Sequence, residues 1–455
     1  VSIDSRSIAA GDIFVAIRGE RNDGHDFVET ALKGGAGIAV VSRRTPAMEQ
    51  AGALLLVDDP LKALERLGIA ARARSAAPII AVTGSVGKTS TKEMLRLALS
   101  ASGLTHASAA SFNNHWGVPL TLARMPRDTE RAIFEIGMNT PGEIAPRSKM
   151  VRPHIAMITR IAPAHLQGMG SVEGVADEKS QIFAGLEPGG AAILPEKDHF
   201  FARLKAAALK LQPSADVMTY GGSRGPKSAT PLSYRTDGRT SQIEIDVLGN
   251  TVTVSLDAVG EHWAANAALA LLASVVAGVA PKQAAEALSG YAPPAGRGVA
   301  ETLKLPKGGE FVLVDDAYNA NPESMRAAIE GFAQRPGRKV IALGEMRELG
   351  EGSAALHAGL AGSIIAANVS AAILSGGEMS HLAAELRRRA AHIRVEHVTG
   401  PGEATEVAKS WLQPGDAVLI KGSNASGMAR VGTALRKLSE DAGQPQKASG
   451  ASDAV

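Results

Sequence analysis

The stretch VTGSVGKTSTKEML, residues 82–95, has the residue types that hold a phosphate chain. Such a cradle needs backbone N–H groups converging on one space, a helix N-terminus behind them and a lysine that reaches the outer phosphates. Gly84 and Gly87 permit the tight turn, and the backbone of Ser85 and Ser90 flanks it. Lys88 can reach the β- and γ-phosphates, and Thr89 can place its hydroxyl on Mg²⁺. Val82 stands where the full consensus has glycine, but the context fits, because the apolar run IIAVTG reads as a strand and the residues after Lys88 as a helix. The competing reading is an ordinary strand-to-helix turn with a solvated lysine.

Six further residues carry chemistry. Glu135 closes the apolar run AIFE, and a carboxylate at the end of a buried strand is costly unless it is paired or bound to a metal. The alternative is a capping or salt-bridged glutamate. His165 follows the strand HIAMIT; imidazole is a good metal ligand and equally a common core residue. Lys179, in ADEKSQIF, is read from the residues alone as a solvated or snorkelling lysine. In VLVDDAYNANPESM (312–325) Asp316 ends a strand, and Asn321 precedes a proline that starts a helix. That rim lies where α/β sheets bind ligands, although turn formation and helix capping explain the same residues. Lys421 ends the strand of VLIKGSN and can meet a phosphate or carboxylate there; otherwise it is a surface lysine.

The elements that must position these groups fall into three α/β units, the number that 455 residues suggest at about 150 per domain. Residues 1–77 alternate short strands (12–17, 37–41, 53–57) with helices (25–35, 60–75), a small N-terminal α/β domain. Residues 78–297 form a central P-loop ATPase-like α/β domain with strands at 131–137, 154–159 and 190–195. The alternating stretch 222–260 adds antiparallel strands to it, and the apolar helix 262–278 is expected to be buried. Residues 298–438 repeat strand and helix as a C-terminal Rossmann-like α/β domain. The polar tail 439–455 is expected to be disordered.

Composition excludes several function classes. Lys plus Arg is 48 against 46 for Asp plus Glu, a balance that argues against a nucleic-acid or anionic-membrane partner. Aromatic residues are 4%, too few for a stacking platform. The absence of cysteine removes disulfides, thiolate nucleophiles and Cys-based zinc sites. No run reaches the ~18 apolar residues of a membrane span. Asp4, Arg6 and Asp12 interrupt any signal-peptide core, which predicts a cytoplasmic protein.

Taken in order, SIDSRSIAAGDIFVAIRGERNDGHDF, TGSVGKTSTKEML, FNNHWGVPLTL, EIGMNTPGEI, PAHLQGMGSVEGVADEKSQIF and DDAYNANPESM resemble the Mur ligase family, the ATP-dependent amide ligases of peptidoglycan assembly. The resemblance covers about residues 2–437. The last motif is similar to the branch that joins D-alanyl-D-alanine to UDP-N-acetylmuramoyl-tripeptide. It implies ATP and two Mg²⁺ as cofactors, with Lys88 at the γ-phosphate and Thr89, Glu135 and His165 as Mg²⁺ ligands. Lys179 matches a lysine that the family carbamylates to hold the second Mg²⁺. Asn266 matches an adenine contact, and Arg297 and Asp316 match nucleotide contacts. Ser5, Arg6 and His25 lie in motifs near the uridine diphosphate. Asn113 and Asn114 are assigned to the substrate side. Tyr318, Asn319 and Asn321 lie in the motif that receives the dipeptide, and Lys421 is assigned to the substrate side. A monomer is expected.

The chain departs from the family pattern at Arg160 and Ala162 (TRIAPAH for TNIGPAH), Trp263 (GEHWAAN for GxHNxxN), and Asn424 and Ala429 (KGSNASGMA for KGSRxxxME). Arg160 adds a positive charge near the expected metals and Asn424 removes one, an exchange in which the two would compensate. Two rivals stand beside the ligase reading. One is a related ligase with a different acceptor, which DAYNANPESM argues against. The other is a nucleotide-binding regulatory protein without catalysis, which the intact Lys88, Thr89, Glu135, His165 and Lys179 argue against.

Overall fold

The computed structural model describes residues 1–19, 22–108 and 111–443. Among these residues the strands form three sheets, of three, nine and six strands.

The first sheet is parallel, in the order Ile13–Val15, Ile38–Val41, Leu54–Leu56. Phe14, Ala39 and Val41 pack on Val28, Ala31 and Leu32 of the helix that follows. A helix at Pro46–Ala51 was not expected; Thr45 caps it and Pro46 opens it, so local capping outweighed a short, weakly periodic sequence. The helix Pro60–Ala73 starts in the same way, with Asp59 accepting from the Leu61 N–H at 2.8 Å. Leu64 on this helix joins Val15 and Val40 to Leu120 of the middle domain. Gly68 lets the helix approach closely, since a Cβ there would lie 3.0 Å from the Pro119 carbonyl oxygen. Arginines complete the docking. Arg72 donates to the Val151 and Arg152 carbonyls at 2.7 and 2.8 Å, Arg74 to Met125 at 2.7 Å, and Arg124 to Val1 at 2.6 Å.

The central sheet runs Asn250–Leu256, Ser241–Val247, Ser228–Thr236, Asp216–Tyr220, Ala191–Pro195, Ile155–Ile158, Ile79–Thr83, Arg131–Glu135, Thr105–Ala107. The first three strands pair antiparallel and the rest are parallel. The expected added strands therefore extend one edge of the P-loop sheet. The strand Asp216–Tyr220, not expected from sequence, joins them to it. Strand Ile79–Thr83 is buried throughout, as a doubly covered parallel strand must be. The helix His262–Val276 is apolar on most faces and packs between the P-loop helix Lys88–Ser100 and the antiparallel strands.

The third sheet runs Val299–Lys304, Glu310–Asp316, Asp416–Lys421, Arg338–Gly344, Ala371–Ser375, Arg394–Val398. Only its first pair is antiparallel. The last helix, Ala429–Gly443, runs into the segment expected to be a disordered tail; its amphipathic spacing continues past residue 438. The rest of that tail, 444–455, lies outside the described residues. Among the described residues no helix is long and apolar enough to cross a membrane.

Candidate active site

The carboxyl ends of the central and third sheets face each other across a cleft of about 1960 Å³, with the first domain at one end. Its lining includes Ser5, Arg6, Ser85, Gly87, Lys88, Thr89, Ser90, Asn113, Asn114, Glu135, His165, Asn266, Arg297, Asp316, Tyr318, Asn319, Asn321 and Lys421.

The loop after strand Ile79–Thr83 owes its shape to two glycines. Gly84 has φ +150, and a Cβ on it would strike the Thr159 hydroxyl oxygen at 1.8 Å. Gly84 itself stays beneath the lining. Gly87 has φ +82, caps the helix Lys88–Ser100 and lies against Asn266, whose Oδ1 is 3.0 Å from where a Cβ would be. Val82 is fully buried in the strand, so the consensus glycine is replaced by core packing. The Lys88 amine turns back to the Gly84 carbonyl at 2.7 Å. Burial holds its pKa below the usual lysine range; Arg297 adds to this and Glu135 opposes it.

Glu135 is buried at the end of its strand and fully engaged. Its Oε2 accepts from the Thr89 hydroxyl at 2.9 Å and its Oε1 from the Asn113 amide at 2.8 Å. A hydroxyl and a carboxylate side by side at a helix N-terminus form an oxygen pair of the kind Mg²⁺ takes. Among the described residues no three His, Asp or Glu side chains converge on a metal position. An ion beside Thr89 and Glu135 would therefore complete its shell with phosphate oxygens and water, as Mg²⁺ commonly does.

His165 comes from a strained turn, with φ +56, and its Nδ1 lies 2.5 Å from Oε2 of Glu348 in the third domain. Glu348 is itself left-handed, with φ +63, and its carbonyl accepts from the Gln167 N–H at 3.2 Å. The His165 bond holds the Glu348 carboxyl below its ordinary pKa, against the effect of burial. His165 thus has Nε2 left for a metal. Lys179 is not the solvated lysine its local sequence suggested. It is 1% exposed, outside the lining, with its amine 3.5 Å from the Met138 sulfur. Burial, and then the nearby Lys88, push its pKa well below the lysine range, while Glu178 and Glu135 oppose this. No hydrogen bond among the described residues joins His165 or Lys179 to Thr89 or Glu135.

On the opposite rim, Lys421 is buried and donates to Asp316 Oδ2 at 2.6 Å and to the Asn319 carbonyl at 3.0 Å. Burial raises the Asp316 pKa, with Lys421 acting against it. Asn321 caps the helix Pro322–Ala333 in a reciprocal box with Ser324 and also reaches the Ser85 carbonyl at 3.5 Å. Capping and site-lining thus coexist in one residue. The Arg297 guanidinium lies over the Tyr318 ring at 3.9 Å and donates to the Ser111 hydroxyl at 3.2 Å.

The first domain brings Ser5 and Arg6 to the cleft, with exposed Arg6 paired to Asp4 at 2.7 Å. His25 does not reach the lining. It is 4% exposed, with Nδ1 2.6 Å from Asp23 and Nε2 accepting the Ser42 N–H at 2.9 Å, so both ring nitrogens are used in holding the domain together.

The departures from the family pattern resolve into packing and pairing. Trp263 is buried beside His262 and Tyr291. Both the N–H and the carbonyl of Ala162 bond the Ser85 hydroxyl. Ala429 opens the last helix. Asn424 is exposed and outside the cleft lining, so it does not offset Arg160. Glu323 does, at 2.8 Å. Sequence reasoning missed Glu323 and Glu348. Glu323 carries the weak signal of an acid in a helix first turn, and Glu348 carries none.

Family models match nearly the whole chain: "Mur ligase family, catalytic domain" over residues 1–74, "Mur ligase middle domain" over 82–274, and "Mur ligase, glutamate ligase domain" over 301–424. The UDP-N-acetylmuramoyl-tripeptide–D-alanyl-D-alanine ligase of Bacillus subtilis (strain 168) is 33% identical over 431 residues, covering 93% of this chain and 90% of that protein. A crystal structure of MurF from Acinetobacter baumannii superposes with a TM-score of 0.83 at 31% identity, covering 95% of this chain and 92% of that one. A second structure from the same organism, a UDP-N-acetylmuramoylalanyl-D-glutamyl-2,6-diaminopimelate–D-alanyl-D-alanyl ligase, has a TM-score of 0.80 at 31% identity with the same coverage.

Proposed function

The chain belongs to the Mur ligase family, and from that premise we propose that it joins D-alanyl-D-alanine to UDP-N-acetylmuramoyl-tripeptide, using ATP. The observation that carries the reading is the cleft, where the phosphate loop, the buried Glu135 and the Tyr318–Asn321 rim face one another. We place the enzyme in the cytoplasm and read it as a monomer.

A carboxylate oxygen of the tripeptide attacks the γ-phosphorus of ATP, and ADP leaves. The resulting acyl phosphate is attacked at its carbonyl carbon by the dipeptide amine, which loses a proton as inorganic phosphate departs. Lys88 neutralises charge on the transferring phosphoryl group, and the loop N–H groups orient it. Asn113 and Thr89 fix the Glu135 carboxylate toward the phosphates. Arg297, Asn266 and Asp316 bind the rest of the nucleotide. Ser5 and Arg6 hold the UDP end, and Tyr318, Asn319 and Asn321 receive the dipeptide. Mg²⁺, held by Thr89 and Glu135 with His165 at a second position, would offset negative charge and polarise the acyl group. Lys179, buried beside Met138, would carry a carbamate formed from its amine and CO₂ with loss of a proton. Closure of the third domain over the bound substrates would exclude water from an acyl phosphate that hydrolyses readily.

The test is coupled ADP release with defined substrate pairs. Turnover is expected only when UDP-MurNAc-tripeptide and D-alanyl-D-alanine are both present. Turnover with a different acceptor and none with this pair would overturn the assignment.

A further inference from the structure

We propose that Arg160 is a positioning residue for the ligation, because its ion pair with Glu323 holds the C-terminal domain docked over the phosphate loop. The inference rests on the ligase reading above and adds a residue to it.

The backbone of Arg160 belongs to the phosphate loop's own scaffold. Its carbonyl accepts the Ser85 N–H at 2.7 Å. Two residues on, Ala162 bonds the Ser85 hydroxyl through both its N–H (3.0 Å) and its carbonyl (2.9 Å). The Thr159 hydroxyl donates to the Val86 carbonyl. A force on this segment is therefore felt at Ser85 and Val86. The side chain leaves that anchored backbone and reaches Glu323 Oε1 at 2.8 Å. Glu323 stands in the first turn of Pro322–Ala333, where a carboxylate also meets the positive end of the helix. Asn321, the cap of the same turn, approaches the Ser85 carbonyl at 3.5 Å. The third domain thus touches one phosphate-loop residue directly through Asn321 and a second time through Arg160.

The pattern this chain otherwise resembles has asparagine at position 160, and a side chain that short does not span to Glu323. The clasp is therefore a feature of this sequence. Other contacts dock the same domain: His165 to Glu348 at 2.5 Å, Tyr234 to Gln334 at 3.2 Å, and Arg335 to the Gly238 carbonyl at 3.3 Å. The first involves a proposed metal ligand and the third a backbone acceptor. Arg160 and Glu323 can be reversed in charge without altering a group assigned to phosphate or metal. A direct phosphate contact by Arg160 is the competing role, and reversal separates the two, because it restores docking but not a cation at position 160.

The full-length enzyme is assayed by ADP release with both substrates, and its compactness is followed by small-angle X-ray scattering with and without a non-hydrolysable ATP analogue. Arg160→Ala should raise KM for D-alanyl-D-alanine about two- to fivefold at low salt, the range of a half-exposed pair. KM for ATP should rise in parallel, because the same domain carries Asp316 to the nucleotide, and the analogue-bound particle should expand. Arg160→Glu combined with Glu323→Arg should recover part of what either single reversal loses in dipeptide KM and compactness, short of wild type because an arginine in the first turn opposes the positive end of the helix, and the deficit of Arg160→Ala should shrink at high ionic strength. A reversed pair as impaired as the two single reversals would overturn the proposal, as would a rise confined to KM for ATP. Wild-type inactivity with these substrates, alongside scattering restored by the reversed pair, would instead remove the ligase reading and leave the clasp.

Discussion

Replacing Lys88 with methionine separates what this lysine does for phosphate from what it does for the fold. Methionine keeps the length and apolar stem and deletes the charge. The ammonium is the phosphate loop's own cation, packed inside it and bonded at 2.7 Å to the loop carbonyl of Gly84. Losing one preorganised donor to a developing oxyanion costs about 3–4 kcal/mol, so kcat should fall about 10²- to 10³-fold. Stability responds differently. The substitution loses a charge-assisted hydrogen bond worth about 1.5–3 kcal/mol but relieves the burial of an ammonium, so the nucleotide-free protein should stay within about 1 kcal/mol of wild type. Because burial holds the Lys88 pKa in the folded state below the ordinary lysine value of 10.5, the unfolded chain binds more protons between the two values. Wild-type stability therefore gains relative to Lys88→Met as pH rises through that window. ATP at a hundredfold excess over Kd adds about 2.7 kcal/mol to the wild type and less to the variant. Steady-state ADP release and denaturant melts, the latter with and without ATP at neutral and alkaline pH, measure all of this. A kcat within tenfold of wild type, or a nucleotide-free variant destabilised by more than about 2 kcal/mol, would refute the reasoning and make Lys88 a structural tether.

Glu135→Gln should lower kcat by about 10²-fold and weaken Mn²⁺ binding, read by electron paramagnetic resonance, by more than about tenfold; unchanged Mn²⁺ affinity would detach Glu135 from the metal. His25→Ala should cost about 1–3 kcal/mol in melts and raise KM for the UDP substrate in step with that loss. A raised KM with unchanged melting would instead mark a direct ligand contact. Wild-type activity should fall in CO₂-depleted buffer and return with bicarbonate, while Lys179→Met should lose about 10²-fold in kcat and show no such response. Full activity of Lys179→Met would rule out a carbamate there.

What the sequence made legible was local. The phosphate loop could be read because its glycines, lysine and threonine act within one turn, whereas the distant residues that brace it, Thr159, Arg160 and Ala162, carry no signal of doing so. The capping role of Asn321 and the burial of His262–Val276 are similarly local, set by a turn and by apolar periodicity. Pairings across domains were not legible. His165 and Glu348 are 183 residues apart, and nothing near either residue specifies the other. His25 is placed near the uridine diphosphate by the family motif alone, and only the fold reveals that it is buried and hydrogen-bonded to Asp23 and Ser42. The chemistry of Lys179 came from family resemblance alone; its local sequence suggested a solvated residue, and only the fold removed it from water. Arg160 and Trp263, which looked like disturbances, are absorbed by an ion pair and an aromatic cluster that arise only in three dimensions.

The docking of the first domain has a consequence for which peptides can react. Gly68, Arg72, Arg74 and Arg124 tie that domain to the central one, so the span from Ser5 and Arg6 to the phosphate loop is held constant. A substrate anchored at its nucleotide end is measured against that span. Each residue of extended peptide contributes about 3.5 Å, and in-line attack requires the reacting atoms within about 3–3.5 Å. A peptide one residue short leaves its carboxylate a full attack distance from the γ-phosphate, and one residue too many carries it past. With Ser5 and Arg6 holding the nucleotide end as proposed, the arginine-studded joint between the first two domains would act as a gauge of chain length, selecting its substrate by reach before any side chain is recognised.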